Sequence, residues 1–192
     1  MTAGCGGSGK HTSSSPPPAT QQPPTTRQTS TSASPGALQA EAASAATGDI
    51  PDNQVYLVYK SSAGWSMKYP EGWAQRGTPT ATVFQDKNNI VRVVVRRGSL
   101  PTLAQVRRDA SLRVARITSA PTTVAAGTVH AVKVVYTTQS APNAVTGKRV
   151  TLTVDRYYVA RAGRVTTIDL GTPVGVDNVD AYRLMIESFR WR

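Results

Sequence analysis

The chain has 192 residues and carries 22 basic against 11 acidic side chains, a formal net charge of +11 with histidine neutral. This length allows one folded domain with an appendage. The excess of positive charge favours anionic partners, and phosphate polymers, nucleic acid and acidic membrane surfaces are all admissible on charge alone. No stretch of about 20 apolar residues exists, so we expect no membrane-spanning helix in this sequence.

The composition changes sharply near residue 50. Up to Asp49 the only large aliphatic residue after Met1 is Leu38, while Ser, Thr, Pro, Gln, Ala and Gly fill the segment. Such a segment cannot bury enough apolar surface to offset the entropy of ordering it. We therefore predict a disordered tether over residues 1–50 and one folded domain over residues 51–192, and the whole excess of positive charge falls in that domain.

The single cysteine, Cys5, follows Ala3 and Gly4 and is followed by glycines and serines. Small residues before a cysteine are typical of the bacterial lipobox, where a signal peptidase cuts and the cysteine is acylated. Only Met1 and Thr2 precede the match, so the apolar segment of a signal peptide is missing from this sequence. We interpret Cys5 as a lipid-attachment site that anchors the chain to the outer face of the bacterial cell membrane. The alternative is a chance match that leaves a free thiol in the tail.

Alternation of apolar and polar residues predicts most of the folded part as strands. Trp65, Met67 and Tyr69 alternate with polar residues, and Pro70 ends that strand because it has no N–H for pairing. This strand is predicted to form a hairpin with residues 55–59. The other predicted strands are rich in β-branched residues and separated by turn residues: 82–85, 90–96, 122–124, 129–137, 149–160 and 165–170. The last two are predicted to form an antiparallel hairpin.

Helical spacing predicts two helices. Pro101 and Thr102 open the first, whose apolar residues fall within one arc facing the sheet: Leu103, Val106, Ala110, Val114 and Ile117. Leu112 lies nearly opposite this arc. The arginines of the same stretch scatter around the remaining arc, which indicates a solvated face instead of a phosphate-binding stripe.

The closing helix begins at Asp177 and Asn178 with a capping side chain. Its predicted buried face consists of Val179, Tyr182, Met185, Ile186 and Phe189. The predicted order is strands, a helix, strands and a helix, with hairpins joining neighbouring strands. This order predicts an α+β domain with an antiparallel β-sheet flanked by helices.

Two stretches of the sequence resemble a known family. Residues 64–73, Gly-Trp-Ser-Met-Lys-Tyr-Pro-Glu-Gly-Trp, resemble the opening motif of the PsbP-like superfamily, and residues 180–191 are similar to its terminal helix. With a tether at Cys5, the whole resembles the LpqN type of actinobacterial lipoprotein, in element order over roughly residues 51–192. The resemblance implies an α/β/α sandwich and a non-enzymatic docking or accessory role. PsbP itself touches metal and chloride, but no histidine–carboxylate cluster here allows a metal site to be transferred.

Catalytic and cofactor-binding patterns are missing from the sequence. His130 is the only histidine outside the tail, and a triad with a serine and Asp155 or Asp169 would lack the Gly-x-Ser-x-Gly elbow. In the predicted folded part, residues 51–192, neither a Walker loop nor a Gly-x-Gly-x-x-Gly motif occurs. We therefore expect no cofactor and no enzymatic activity, and an unrecognised hydrolase is the least favoured reading.

The candidate anion-binding residues are Lys68, Arg92, Arg96 and Arg97. Three of them occupy the polar positions of their strands, so one region of the sheet is expected to be basic where no helix covers it.

We expect a monomeric, membrane-tethered, extracytoplasmic binding or accessory domain that docks an envelope protein. The alternative is a basic module for an anionic lipid or cell-wall polymer, in which an exposed apolar cleft would favour the lipid. Nucleic acid is disfavoured because no recognised nucleic-acid-binding module matches.

Overall fold

The computed structural model describes residues 48–142 and 147–192. In these residues the strands are β1 (Tyr56–Ser61), β2 (Trp65–Pro70), β3 (Ala74–Thr78), β4 (Ala81–Asp86), β5 (Asn89–Arg97), β6 (Arg116–Ala126), β7 (Val129–Gln139), β8 (Thr151–Arg161), β9 (Arg164–Pro173) and β10 (Arg190–Trp191). The helices are α1 (Leu103–Arg107) and α2 (Val179–Glu187), with a 3₁₀ turn at Ala110–Leu112. The part of the chain described has no helix long and apolar enough to cross a bilayer.

The strands form two antiparallel sheets. Seven of them pair in the order β3-β4-β5-β9-β8-β7-β6, and the other three in the order β1-β2-β10. The predicted antiparallel sheet is confirmed, as are the β1–β2 and β8–β9 hairpins. The predicted sandwich of helices matches only in part, because strands dominate and α1 is only five residues long.

The larger core lies between the seven-stranded sheet, the three-stranded sheet and α2. Trp65 and Met67 are fully buried in it, as the alternation in β2 predicts. Phe189 stacks on Trp65 with ring centroids 6.2 Å apart, and the Trp65 indole N–H donates to the carbonyl of Pro79 at 3.1 Å. Strand β2, which lies within the first stretch of the family resemblance, is therefore at the centre of this core.

The opposite face of the seven-stranded sheet carries a second, smaller core. Its buried apolar side chains come from α1, the 3₁₀ turn and strands β7 and β8: Val106, Leu112, Val132, Val134, Tyr136, Leu152, Val154 and Tyr158. In the part of the chain that the structure describes, the short helical segments α1 and Ala110–Leu112 are the elements that cover this face.

The first predicted helix is wrong beyond α1. Asp109 accepts a hydrogen bond from the backbone N–H of Ser111 at 2.8 Å, which starts the 3₁₀ turn instead of continuing the helix. Leu112, predicted to be exposed, is 4% exposed, whereas Val114, predicted to be buried, is 91% exposed. Ile117 belongs to β6, which pairs with β7 along its length and is much longer than the predicted strand at 122–124.

The closing helix is confirmed as α2, with two differences. Val179 lies outside the buried face and is 69% exposed. Asn178 precedes the helix, but its side chain makes no capping hydrogen bond. It accepts instead from the backbone N–H of Ile50 at 2.8 Å and donates to the carbonyl of Gly48 at 3.2 Å. These bonds join residues 48–50 to the start of α2.

Candidate functional site

A cleft of about 430 Å³ lies between α2 and strands β6 to β9, and we call it the helix cleft. Its walls are mostly apolar, with aliphatic and aromatic side chains from both elements: Val124, Tyr157, Leu170, Val176, Val179, Tyr182 and Ile186. A volume of this size is typical of small-molecule pockets, which are lined by apolar groups with a few polar ones.

The polar groups of the helix cleft balance in charge. Lys133 binds Asp155, with Nζ 2.6 Å from Oδ2, and its ammonium group lies 5.2 Å from the centroid of the Tyr157 ring. Burial lowers the pKa of Lys133, but the hydrogen bond to Asp155, the charge of Asp155 and the contact with Tyr157 together outweigh burial, so the pKa lies above its ordinary value. Arg183 and Glu187 add one charge of each sign at the cleft. The cleft therefore offers donors and acceptors without a net charge.

A buried tyrosine fixes α2 beside the helix cleft. The Tyr182 hydroxyl donates to the carbonyl of Gly171 at 2.7 Å, and burial raises the pKa of this phenol. Because this hydrogen bond joins the middle of α2 to β9, the helix is held at a set position over the sheet. The position of α2 over the sheet, and with it the shape of the cleft, thus follows from contacts within the fold.

An ion-paired group, which we call the arginine cluster, lies on the opposite face of the sheet. It consists of Arg92 on β5, Arg156 on β8 and Asp169 on β9. Arg156 Nε lies 2.5 Å from Asp169 Oδ1, and Arg92 Nη2 lies 2.6 Å from Oδ2. The Arg156 and Asp169 side chains are each 5% exposed, whereas that of Arg92 is 48% exposed. Burial opposes the charge of Arg156, but its hydrogen bonds to Asp169 raise its pKa.

The arginine cluster also holds the 3₁₀ turn against the sheet. Arg156 Nη1 donates to the Ser111 hydroxyl at 2.6 Å, and the Tyr158 hydroxyl donates to Asp109 at 2.6 Å. Burial raises the pKa of Asp109, but hydrogen bonds from Tyr158 and Ser111 lower it below its ordinary value overall. Burial, and then the charge of Asp169, raise the pKa of Tyr136 in the same cluster to about 12. These contacts indicate a structural role for the buried pair.

The structure brings together only two of the four candidate anion-binding residues. Arg92 and Arg96 point to the same face of β5, whereas Arg97, the next residue, points to the other face. Lys68 lies on β2 in the three-stranded sheet and borders an open groove with residues of α2. Arg156, which the sequence analysis does not single out, joins Arg92 and Arg96 along a cleft beside the cluster.

Within the residues that the structure describes, the exposed His130 of β7 makes no hydrogen bond or ion pair with a carboxylate. Of the two carboxylates that the sequence offers as its partners, Asp155 binds Lys133 and Asp169 binds the two arginines. Among residues 48–142 and 147–192, no three side chains of His, Cys, Asp or Glu are grouped as metal ligands would be. The predicted lipid-attachment site, Cys5, and the tether lie outside the described residues, except for residues 48–50.

Comparison with known proteins identifies a fold. No family model and no curated protein matches the chain. The solution structure of cyanobacterial PsbP (CyanoP) from Synechocystis sp. PCC 6803 is similar, with 17% sequence identity and a TM-score of 0.51 over 76% of this chain and 98% of that chain. A crystal structure from Bacteroides thetaiotaomicron VPI-5482 has 14% identity and a TM-score of 0.47 over 69% of this chain, which spans about half (47%) of that chain. The likeness to CyanoP supports the PsbP-like fold that the sequence predicts.

Proposed function

We propose that this chain is a non-catalytic binding protein of the bacterial cell envelope, of the LpqN lipoprotein type, that takes an uncharged amphiphilic molecule into the helix cleft. A lipid on Cys5 would tether it to the outer face of the membrane. The observation that carries the proposal is the apolar, charge-balanced cleft between α2 and the sheet. Mass spectrometry of the native protein tests the tether, because Cys5 should be N-terminal and acylated.

The size of the helix cleft suits a short alkyl segment with a polar end. At about 30 Å³ for each water-sized group, 430 Å³ holds on the order of 14 such groups. Burying eight methylene groups contributes about 6 kcal/mol before the losses of association are subtracted. The Lys133–Asp155 pair supplies one donor and one acceptor for hydroxyl groups of the ligand, and the balance of charge disfavours ions.

Isothermal titration of the full chain with octyl glucoside, below its micelle-forming concentration, tests the proposal. Val179→Asp places a charge at the cleft on a side chain that is already exposed, and should weaken binding about tenfold, or by 1.4 kcal/mol. Val174→Asp is the matched control, since Val174 is also an exposed valine but does not line the cleft. Absence of saturable binding, or equal weakening in both variants, would refute the site.

Docking of an envelope protein is a second candidate function, favoured by the free edge of the three-stranded sheet. Among the described strands, β1 pairs with β2 alone, so its other backbone edge has no partner in that part of the chain. Leu57 and Val58 on this strand and Leu184 on α2 are exposed apolar side chains. An extended segment of a partner could add to such an edge through backbone hydrogen bonds, with apolar side chains providing further contact.

Affinity capture from detergent-solubilised envelopes of the source cell distinguishes docking from attraction by charge. A docked protein should be retained in stoichiometric amount at physiological salt and at about 1 M salt, where the Debye length falls to roughly 3 Å. Val58→Lys should abolish its capture, and Val174→Lys, the control at an exposed valine away from β1, should not. Capture of only acidic lipid or polymer, lost at high salt, would support the basic-module alternative instead.

A further inference from the structure

A second, smaller cleft adjoins the arginine cluster on the face of the sheet opposite α2. Its volume is about 160 Å³, and we call it the arginine cleft. Val94 and Thr167 form its floor, Arg92 and Arg96 lie along β5 on either side of them, and the 3₁₀ turn borders it through Asp109 and Ser111. The helix cleft is on the other face, so the two clefts have no lining residue in common.

The two carboxylates at the arginine cleft are already occupied by donors. Asp169 accepts four N–H hydrogen bonds, two from Arg92 and two from Arg156. Asp109 accepts from the backbone N–H and hydroxyl of Ser111 and from the Tyr158 hydroxyl. Neither carboxylate therefore depends on the remaining donors of the cleft for a partner.

The donors that remain free point to an anion. Arg96 makes no hydrogen bond or ion pair with any residue that the structure describes, and the same holds for the Thr167 hydroxyl and for Nη1 of Arg92. Arg92 and Arg96 are four residues apart on one face of a strand, so their Cα atoms are about 13 Å apart. Thr167 pairs with Val94 midway between them. Two long guanidinium side chains and one hydroxyl thus surround a common space.

We propose that the arginine cleft binds a tetrahedral oxyanion, the phosphate or sulfate group of a ligand. Three arginines against two carboxylates leave the lining with one net positive charge. The volume equals about five waters, and a phosphate or sulfate group has five heavy atoms. Such a group presents oxygens in several directions, so it accepts from both guanidinium groups and from the hydroxyl at once, whereas a planar carboxylate has only two oxygens.

Two kinds of ligand carry such a tetrahedral oxyanion: free phosphate or sulfate, and a phospholipid with its headgroup phosphate. A cavity of about 420 Å³ shares four lining residues with the arginine cleft, Arg92, Ser111, Arg156 and Asp169. It is also lined in part by Ile90, Leu152 and Val154. An apolar substituent on the phosphate would therefore find apolar surface beside the cleft. This site is independent of the proposed function, because the helix cleft is neutral and lies on the other face.

The test is titration of the full chain with inorganic phosphate and with sulfate, at constant ionic strength set by chloride, followed by the amide resonances of β5 and β9. Arg96→Gln should weaken phosphate binding at least tenfold, because it removes charged donors from the ligand. Arg97→Gln is the matched control: it removes the same charge from the next residue of β5, which is exposed and on the other face. It should change the dissociation constant less than twofold.

Vesicles of phosphatidylcholine with 10% phosphatidic acid distinguish the two sources. Binding to these vesicles that Arg96→Gln weakens and Arg97→Gln does not would assign a phospholipid headgroup. Binding of inorganic phosphate alone, with the same dependence on Arg96, would assign a free oxyanion. Absence of saturable binding of phosphate, sulfate and vesicles, or equal weakening by both variants, would overturn the proposal, since the domain's overall charge would then account for any attraction.

Discussion

Replacing Asp169 by Asn would leave the charge of the buried Arg156 with a single, more distant counter-ion, since Arg156 Nη1 lies 3.7 Å from Asp109 Oδ2. The Asp169 carboxylate accepts four N–H donors, whereas an amide offers one acceptor oxygen and turns its own NH₂ group towards a guanidinium. Arg92 is half exposed, so water can replace its lost hydrogen bonds. Arg156 is 5% exposed and has no such access to water, so it determines the loss of folding stability. Removing one partner of a buried ion pair costs about 3–5 kcal/mol.

This loss is large for a domain of this size. At about 0.05–0.15 kcal/mol per residue, residues 48–192 have a total stability of about 7–22 kcal/mol. Asp169→Asn should therefore lower the Tm by about 6–20 °C, since 1 kcal/mol corresponds to roughly 2–4 °C here. Thermal unfolding followed by circular dichroism measures this shift. Arg92→Gln is the control, because it takes donors from the same carboxylate at a half-exposed site, and should cost about 1 kcal/mol or less.

A double variant tests whether the buried charge is the cause. Arg156→Met together with Asp169→Asn removes the charge and the acceptor at once, and should recover at least half of the stability that Asp169→Asn loses. If Asp169→Asn does not fold, the stability of the double variant can still be measured and compared with that of wild type. A loss below about 1 kcal/mol for Asp169→Asn, or a double variant less stable than Asp169→Asn, would refute this reasoning.

Three further predictions concern other parts of the domain. Leu112→Ala should cost about 2–4 kcal/mol and Val114→Ala less than about 0.5 kcal/mol in urea unfolding, and equal costs would favour the long helix that the sequence predicts. Gly77→Ala should lower the Tm more than Gly72→Ala, since both glycines have positive φ but only at Gly77 would a Cβ lie 2.1 Å from a backbone oxygen. Folding lowers the pKa of Asp109 below 3.8, so its contribution to stability is present above that pH and is lost as the pH falls through the folded-state value. Asp109→Asn protein should accordingly lose less stability than wild type between about pH 5 and pH 2, and equal acid sensitivity in thermal melts would contradict this.

Strands with one buried face could be predicted from the sequence because their side chains alternate. Trp65 and Met67 are confirmed as fully buried, and the β8–β9 hairpin is confirmed with Ala162 and Gly163 at positive φ in its turn. That two-residue turn fixes the register so that Arg156 lies opposite Asp169. The predicted hairpin therefore contains the information needed to infer the buried ion pair. Arg156 occupies a position of β8 whose alternate neighbours are apolar, and the hairpin register places it opposite Asp169.

Segments without a fully buried face could not be predicted in the same way. All five residues of β3 are exposed, so no alternation marks this strand and only pairing with β4 defines it. The stretch from Leu103 to Ile117 has apolar residues at helical spacing by coincidence, because Asp109 ends the helical run and pairing with β7 draws Ile117 into a strand. Local spacing gives no information about such long-range pairing.

The partners of each arginine, and not the net charge, decide which of them is available to a ligand. Arg156 and Arg96 lie on the same face of one sheet. Arg156 is ion-paired with Asp169, whereas Arg96 has no partner among the described residues. Composition counts both equally in the +11 total.

The two candidate sites share one strand but occupy its two faces. Asp155 and Tyr157 of β8 point into the helix cleft, and Arg156, between them, belongs to the arginine cluster. Because successive side chains of a strand point to opposite faces, the closely packed sheet separates the two sites. A ligand in one cleft touches no side chain of the other. Saturating the helix cleft with octyl glucoside should therefore leave phosphate affinity at the arginine cleft unchanged, and a mutual change in affinity would show that β8 shifts when either site is filled.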